Sequence, residues 1–110
     1  LMARPALLIL DEPCAGLDPA AREHFLNFLE RLGREKNAPA LVLVTHHVEE
    51  IMPVFTHGLL LKAGRKIFQG PISQVLTSEN LAATFETEAR LRKVEGRYQL
   101  RVKSNPRVIA

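Results

Sequence analysis

Short continuous apolar runs, broken by polar and turn-forming residues, set the elements that the chain predicts. Ala6-Leu7-Leu8-Ile9-Leu10 is a continuous apolar run that ends in two carboxylates, Asp11 and Glu12. Such a run predicts a strand buried on both faces, the habit of parallel sheets. Asp18 followed by Pro19 predicts a helix start: the Asp accepts from early backbone donors, and proline fits the first helical position. The helix extends to about Gly33, with Phe25, Phe28, Leu29 and Leu32 at helical spacing on one face. After Asn37-Ala38-Pro39, the run Ala40-Leu41-Val42-Leu43-Val44 predicts a second buried strand. A second helix is expected from Thr45 to His47 onward, with Glu49 and Glu50 in its first turn and Pro53 ending it.

Farther on, Gly58-Leu59-Leu60-Leu61 and Lys66-Ile67-Phe68-Gln69 flank Lys62-Ala63-Gly64-Arg65, a hairpin pattern with glycine at the turn. Gly70-Pro71 breaks it. A short helix from Ile72 to Leu76 follows, then one capped by Ser78 and running toward Glu88. Glu88 to Gly96 is charged enough to read as a connector, and Tyr98 to Val102 alternates like one more strand. Strand, helix, strand, helix, hairpin is the order of an α/β layered fold. The two apolar strands should lie parallel, joined by a right-handed crossover. That would set Asp11, Glu12 and His46 along one sheet edge, where open α/β sheets bind ligands.

Composition narrows this little. The chain has 110 residues, 46% hydrophobic and 25% charged, the balance of an ordinary globular domain. The net charge is +3, concentrated late in Arg90, Arg92, Lys93, Arg97, Arg101, Lys103 and Arg107. Only Tyr98 interleaves with those charges, so no platform for stacking bases is visible, and no nucleic-acid partner is expected. Cys14 is the single cysteine, which excludes an intrachain disulfide and a cysteine zinc cluster. No apolar run reaches the roughly 20 residues that cross a bilayer.

Adjacent side chains on a strand point to opposite faces, so Asp11 and Glu12 suit two jobs better than one shared proton. Downstream come Ala15-Gly16-Leu17-Asp18-Pro19 and Val44-Thr45-His46-His47. Asp-Glu-Pro, Gly-Leu-Asp and Thr-His, in this order and spacing, resemble the Walker B motif, D-loop and switch histidine of the ABC ATPase family. Gly58 to Pro71 is similar to the strand–turn–strand that follows the switch helix in transporter subunits. The resemblance covers about residues 1–81.

The resemblance implies a partial P-loop NTPase domain, with parallel core strands flanked by helices and a C-terminal β-hairpin. It assigns residues 1–87 to that domain and 88–110 to a basic extension with room for one strand. It implies that Asp11 holds Mg²⁺ through water, that Glu12 orients the water attacking the γ-phosphate of ATP, and that His46 senses that phosphate. Gly16, Leu17 and Asp18 would reach toward a second ATP-binding subunit, with Asp18 also capping its helix. His47 stands where the family often has an acid and takes no catalytic role; Cys14 stands where it usually has Thr or Ser. His24 and His57 read as surface or packing residues.

No Gly-x-x-x-x-Gly-Lys-Ser/Thr occurs, so the Walker A loop that cradles phosphates is absent, as is Leu-Ser-Gly-Gly. Leu1-Met2-Ala3 resembles the end of the helix that follows that signature. The chain is therefore expected to be a piece of a longer protein and, alone, not an enzyme. The whole would be the ATPase subunit of an ABC transporter, cytoplasmic and peripheral on the inner face of the cell membrane, working through a polytopic membrane permease. Gly58 to Phe85 leans toward importers of metal chelates or related solutes. Two alternatives stay open: a non-transport ABC ATPase of DNA repair or translation, and a regulatory module that does not hydrolyse ATP. The absent strand and loop should leave a gap or an unsatisfied strand edge.

Overall fold

A computed structural model describes residues 6–103. The helix end expected at Leu1-Met2-Ala3, and Arg107 of the basic run, lie outside them. The chain divides into two compact units on either side of the bond between Val54 and Phe55.

In the first unit, β1 (Leu7–Asp11) and β2 (Ala40–Val44) pair in parallel, from Leu7 opposite Ala40 to Asp11 opposite Val44. The side-by-side parallel arrangement is the one expected. The burial on both faces is not. Leu8, Leu10, Leu41 and Leu43 are half-buried, while Leu7 (63% exposed), Ile9 (60%), Val42 (42%) and Val44 (46%) stand bare on the other face. Parallel pairs need cover on both faces, and the described residues supply it on one.

Helix α1 (Pro19–Gly33) connects the two strands. Asp18 has extended backbone and accepts from the Ala21 N–H at 2.7 Å, so the cap works as read from the sequence. Its buried stripe differs from the expected one. Leu26 and Leu29 are fully buried, whereas Phe28 is 49% exposed. Two positions on from Leu26, Phe28 is turned about 200° around a helix of 3.6 residues per turn. The ring of Phe28 meets Phe25 at 6.5 Å instead. Gly33 is fixed by close approach, since a Cβ there would lie 2.6 Å from Val54 Cγ2.

No α-helix directly follows β2. Val48–Glu50 forms a single 3-10 turn, and Ile51 is already extended. The side chain of Thr45 explains the short turn: its hydroxyl donates to Glu50 at 2.6 Å and accepts from the His47 N–H at 3.0 Å. Such local bonds compete with helix continuation. Beyond Pro53, the Val54 N–H donates to Glu30 of α1 at 2.8 Å.

In the second unit, β3 (His57–Lys62) and β4 (Arg65–Pro71) form the expected antiparallel hairpin. Ala63 and Gly64 both take positive φ, as a two-residue hairpin loop requires. One turn of helix, α2 (Ile72–Val75), leads to α3 (Ser78–Phe85). The cap of α3 is Thr77, which accepts from the Asn80 N–H at 3.0 Å, not Ser78. Ser78 Oγ accepts instead from the Leu91 N–H at 2.9 Å, tying α3 to the next strand.

The stretch read as a connector is a strand, so the C-terminal segment holds two strands rather than one. β5 (Ala89–Val94) and β6 (Arg97–Val102) pair antiparallel around Glu95-Gly96. Its charges misled the reading because they alternate: Arg90 and Arg92 face outward, while Ala89 and Leu91 turn in with Leu100 and buried Tyr98. Val75, Leu76, Leu81 and Tyr98 are the buried residues of this unit. No helix among the described residues is long and apolar enough to cross a membrane.

Candidate functional site

The carboxyl ends of β1 and β2 carry the chemistry-bearing residues of the first unit. Asp11 closes β1 opposite Val44 and is exposed. Glu12 follows at φ 48°, a left-handed conformation that costs a non-glycine residue about 1–2 kcal/mol. Its backbone offsets the strain: the Glu12 N–H donates to Val44 O at 2.7 Å, and Glu12 O accepts from Ala15 N–H at 3.2 Å. The reversal turns the Glu12 side chain toward the end of β2. There His46 Nε2 lies 3.6 Å from Glu12 Oε1, longer than a hydrogen bond but within reach of one.

A turn carries the chain from Glu12 into α1. Leu17 N–H donates to Cys14 O at 3.1 Å, and Gly16 takes φ 81° with open space around it. Gly16, Leu17 and Asp18 are all exposed. Behind this turn a cleft of about 230 Å³ is lined by Glu12, Cys14, Arg22, Thr45, His47 and Glu50, among others. His47, not His46, faces it. Burial pushes the Cys14 thiol above its ordinary range, and the Glu50 carboxylate pushes it further. The thiol is thus held protonated, the opposite of a reactive cysteine.

Of the residues expected to matter, Glu12 and His46 are brought together, with Asp11 beside Glu12 in the chain. Gly16, Leu17 and Asp18 form an exposed turn, of which Gly16 and Leu17 line the cleft together with Glu12. His24 is exposed, and His57 Nδ1 lies 2.9 Å from its neighbour Thr56 Oγ1. Glu50 overturns its expected role. It does not serve the dipole of an α-helix start but is 4% exposed, bonded to Thr45 beside a single 3-10 turn. Thr45 and Glu50 were missed as a pair, although an acid flanked by Val48, Ile51 and Met52 was the available signal.

Among the described residues no three His, Cys, Asp or Glu side chains gather as a metal cage. Magnesium does not require one. It keeps several waters and binds through one or two carboxylates plus substrate phosphates, and a lone exposed carboxylate at a strand end fits that habit.

Residues 1–52 match a family model described as "AAA domain, putative AbiEii toxin, Type IV TA system". The chain is 51% identical over 87 residues to the "Uncharacterized ABC transporter ATP-binding protein YlmA" of Bacillus subtilis (strain 168), covering 79% of this chain and 33% of that protein. It is 37% identical over 98 residues to the "Uncharacterized ABC transporter ATP-binding protein YmeB" of Lactococcus lactis subsp. lactis (strain IL1403), covering 89% and 38%. The "Molybdenum import ATP-binding protein ModC" of Shewanella sp. (strain MR-4) is 38% identical over 81 residues, covering 74% and 22%. The chain thus spans between 22% and 38% of the length of these relatives. In fold it is similar to a solved structure titled "An inward-facing conformation of a putative metal-chelate type ABC transporter", with a TM-score of 0.71, 24% identity, and 94% of this chain and 41% of that one covered.

Proposed function

The chain belongs to the ABC transporter ATP-binding proteins, and from that premise we propose that it carries the hydrolytic half of a nucleotide site in a longer subunit that powers solute transport. The observation that supports this best is the approach of His46 to Glu12, 3.6 Å apart across the ends of two paired parallel strands. Ligands of open α/β sheets bind at that end.

Glu12 is the residue that orients the attacking water. Phosphoryl transfer needs position and charge more than covalent chemistry, so a carboxylate held by a bonded backbone suffices. The bond from Glu12 N–H to Val44 O ties that residue to the end of β2, two residues before His46. His46 holds its imidazole where it can donate to a γ-phosphate oxygen and to Glu12. Asp11 would hold Mg²⁺ through water, and the ion would neutralise charge on the phosphates of ATP. Gly16, Leu17 and Asp18 present their exposed turn to a second ATP-binding subunit, and the subunit works from the cytoplasmic face on a membrane permease partner that carries the solute. Transport is favoured over repair or translation because the three named relatives are all transporter subunits.

The test is ATP turnover and ATP binding by the full-length protein. Glu12→Gln should lower kcat about 100-fold or more, the scale of losing one positioned polar group, while ATP binding persists. His46→Ala should also cripple turnover, and His47→Ala should do little. Equal damage from the two histidine changes, or wild-type turnover by Glu12→Gln, would refute the assignment. The 110-residue chain alone, without a Walker A loop, should neither bind MgATP in calorimetry nor release phosphate at the one per second or more that is roughly typical of enzymes.

A further inference from the structure

Glu50 is the one charged side chain that is buried among the described residues, at 4% exposure. A buried carboxylate without partners costs several kcal/mol, so its bonding matters. Thr45 Oγ1 donates to it at 2.6 Å, within the range of a charge-assisted O–H···O⁻ bond. The same hydroxyl accepts from the His47 N–H at 3.0 Å. With its proton committed to Glu50, the Thr45 oxygen is left as the acceptor for that amide. The bond from His47 closes a small ring around residue 46, and the bond to Glu50 anchors that ring at Thr45.

The His46 side chain itself is 77% exposed, so burial does not hold it. Its place 3.6 Å from Glu12 depends on where the backbone launches it. We infer that Glu50, acting through Thr45, is the positioning residue that sets His46 against Glu12. In this role Glu50 acts through Thr45 and not on the substrate itself. It works from behind the turn, on a cleft also lined by Glu12, Arg22 and Cys14. The consequence for turnover rests on the ATPase reading given above.

The experiment compares steady-state ATP hydrolysis by the full-length protein and its Glu50→Ala, Glu50→Gln, Thr45→Val and Thr45→Ser variants, with Glu12→Gln as reference. Glu50→Ala and Thr45→Val should each lower kcat about tenfold or more while KM for ATP stays within about twofold, the pattern of an interaction felt in the transition state. Thr45→Ser keeps the hydroxyl and Glu50→Gln keeps an acceptor oxygen, so both should retain most of the activity. The Glu50→Ala/Thr45→Val double variant should be no worse than the poorer single one, because one chain of bonds is lost once. If Glu50→Ala does not fold, the Thr45 pair decides the matter alone.

Turnover within about twofold of wild type in Thr45→Val, multiplying losses in the double variant, or no rescue by Ser would overturn the inference. The two levels separate cleanly. A crippled Glu12→Gln beside an unaffected Thr45→Val sinks the positioning role only, whereas an unaffected Glu12→Gln sinks the ATPase reading and this inference with it.

Discussion

The β1–β2 pair and the β5–β6 hairpin are both two-stranded and of similar length, yet their solvent faces differ in kind. On β1–β2 the outward positions are Leu7, Ile9, Val42 and Val44. On β5–β6 they include Arg90, Arg92, Gln99 and Arg101. The hairpin is written for one wet face, as antiparallel pairs usually are. The parallel pair is written for cover on both. Burying each large aliphatic side chain is worth about 1.5–3 kcal/mol, so the bare face is a substantial unmet demand. Residues that carry chemistry sit at the end of the pair that makes this demand, not on the self-sufficient hairpin.

A charge placed on each face breaks or confirms the comparison. Ile9→Lys and Val42→Lys should destabilise the full-length protein by several kcal/mol in denaturant unfolding, roughly the cost of burying an unpaired charge. Arg92→Glu should stay within about 0.5 kcal/mol, as surface changes do. In the 110-residue chain alone, the order should vanish, and Ile9→Lys should reduce binding of a hydrophobic dye. Equal costs at Ile9 and Arg92 in the full-length protein would mean that nothing covers the parallel pair.

The next effect lies on α1. Leu26→Ala should cost about 2–5 kcal/mol, the range for emptying a core site, and Phe28→Ala much less. Smaller again are the caps, one in each unit. Asp18→Ala and Thr77→Ala should each cost about 1 kcal/mol, and Ser78→Ala should differ by acting on β5 rather than on the start of α3. The smallest effect is at Cys14. Its thiol is raised in the fold, so the folded state binds that proton more tightly than the unfolded one. The stability from this group is present below the thiol's unfolded value and lost as pH rises through its folded value. Cys14→Ser should remove that alkaline slope in unfolding measured against pH.

Much of the frame was legible because the signals were local. Asp18-Pro19 set a helix start, and the Ala63-Gly64 turn set a hairpin. Two apolar runs set the strands, and the Asp11-Glu12 pair marked a strand end worth watching. What escaped depended on side-chain direction or on side-chain bonds between near neighbours. The stripe on α1 shifted because Leu26, not Phe28, turns inward. The helix expected after β2 gave way to a tight turn because Thr45 bonds Glu50, a contact that no propensity encodes. β5 was hidden by its own arginines, which alternate as a half-buried strand requires. Glu50 read as an acid serving a helix dipole, whereas it is buried against Thr45.

The most direct test is a structure of full-length Glu12→Gln protein with MgATP, which slowed hydrolysis should trap intact. The γ-phosphate should lie within hydrogen-bond reach of His46 and beside residue 12, with the metal ion on the Asp11 side and Gly16 to Asp18 against a second subunit. A nucleotide seated away from the ends of β1 and β2, or His46 turned from its phosphates, would contradict the account.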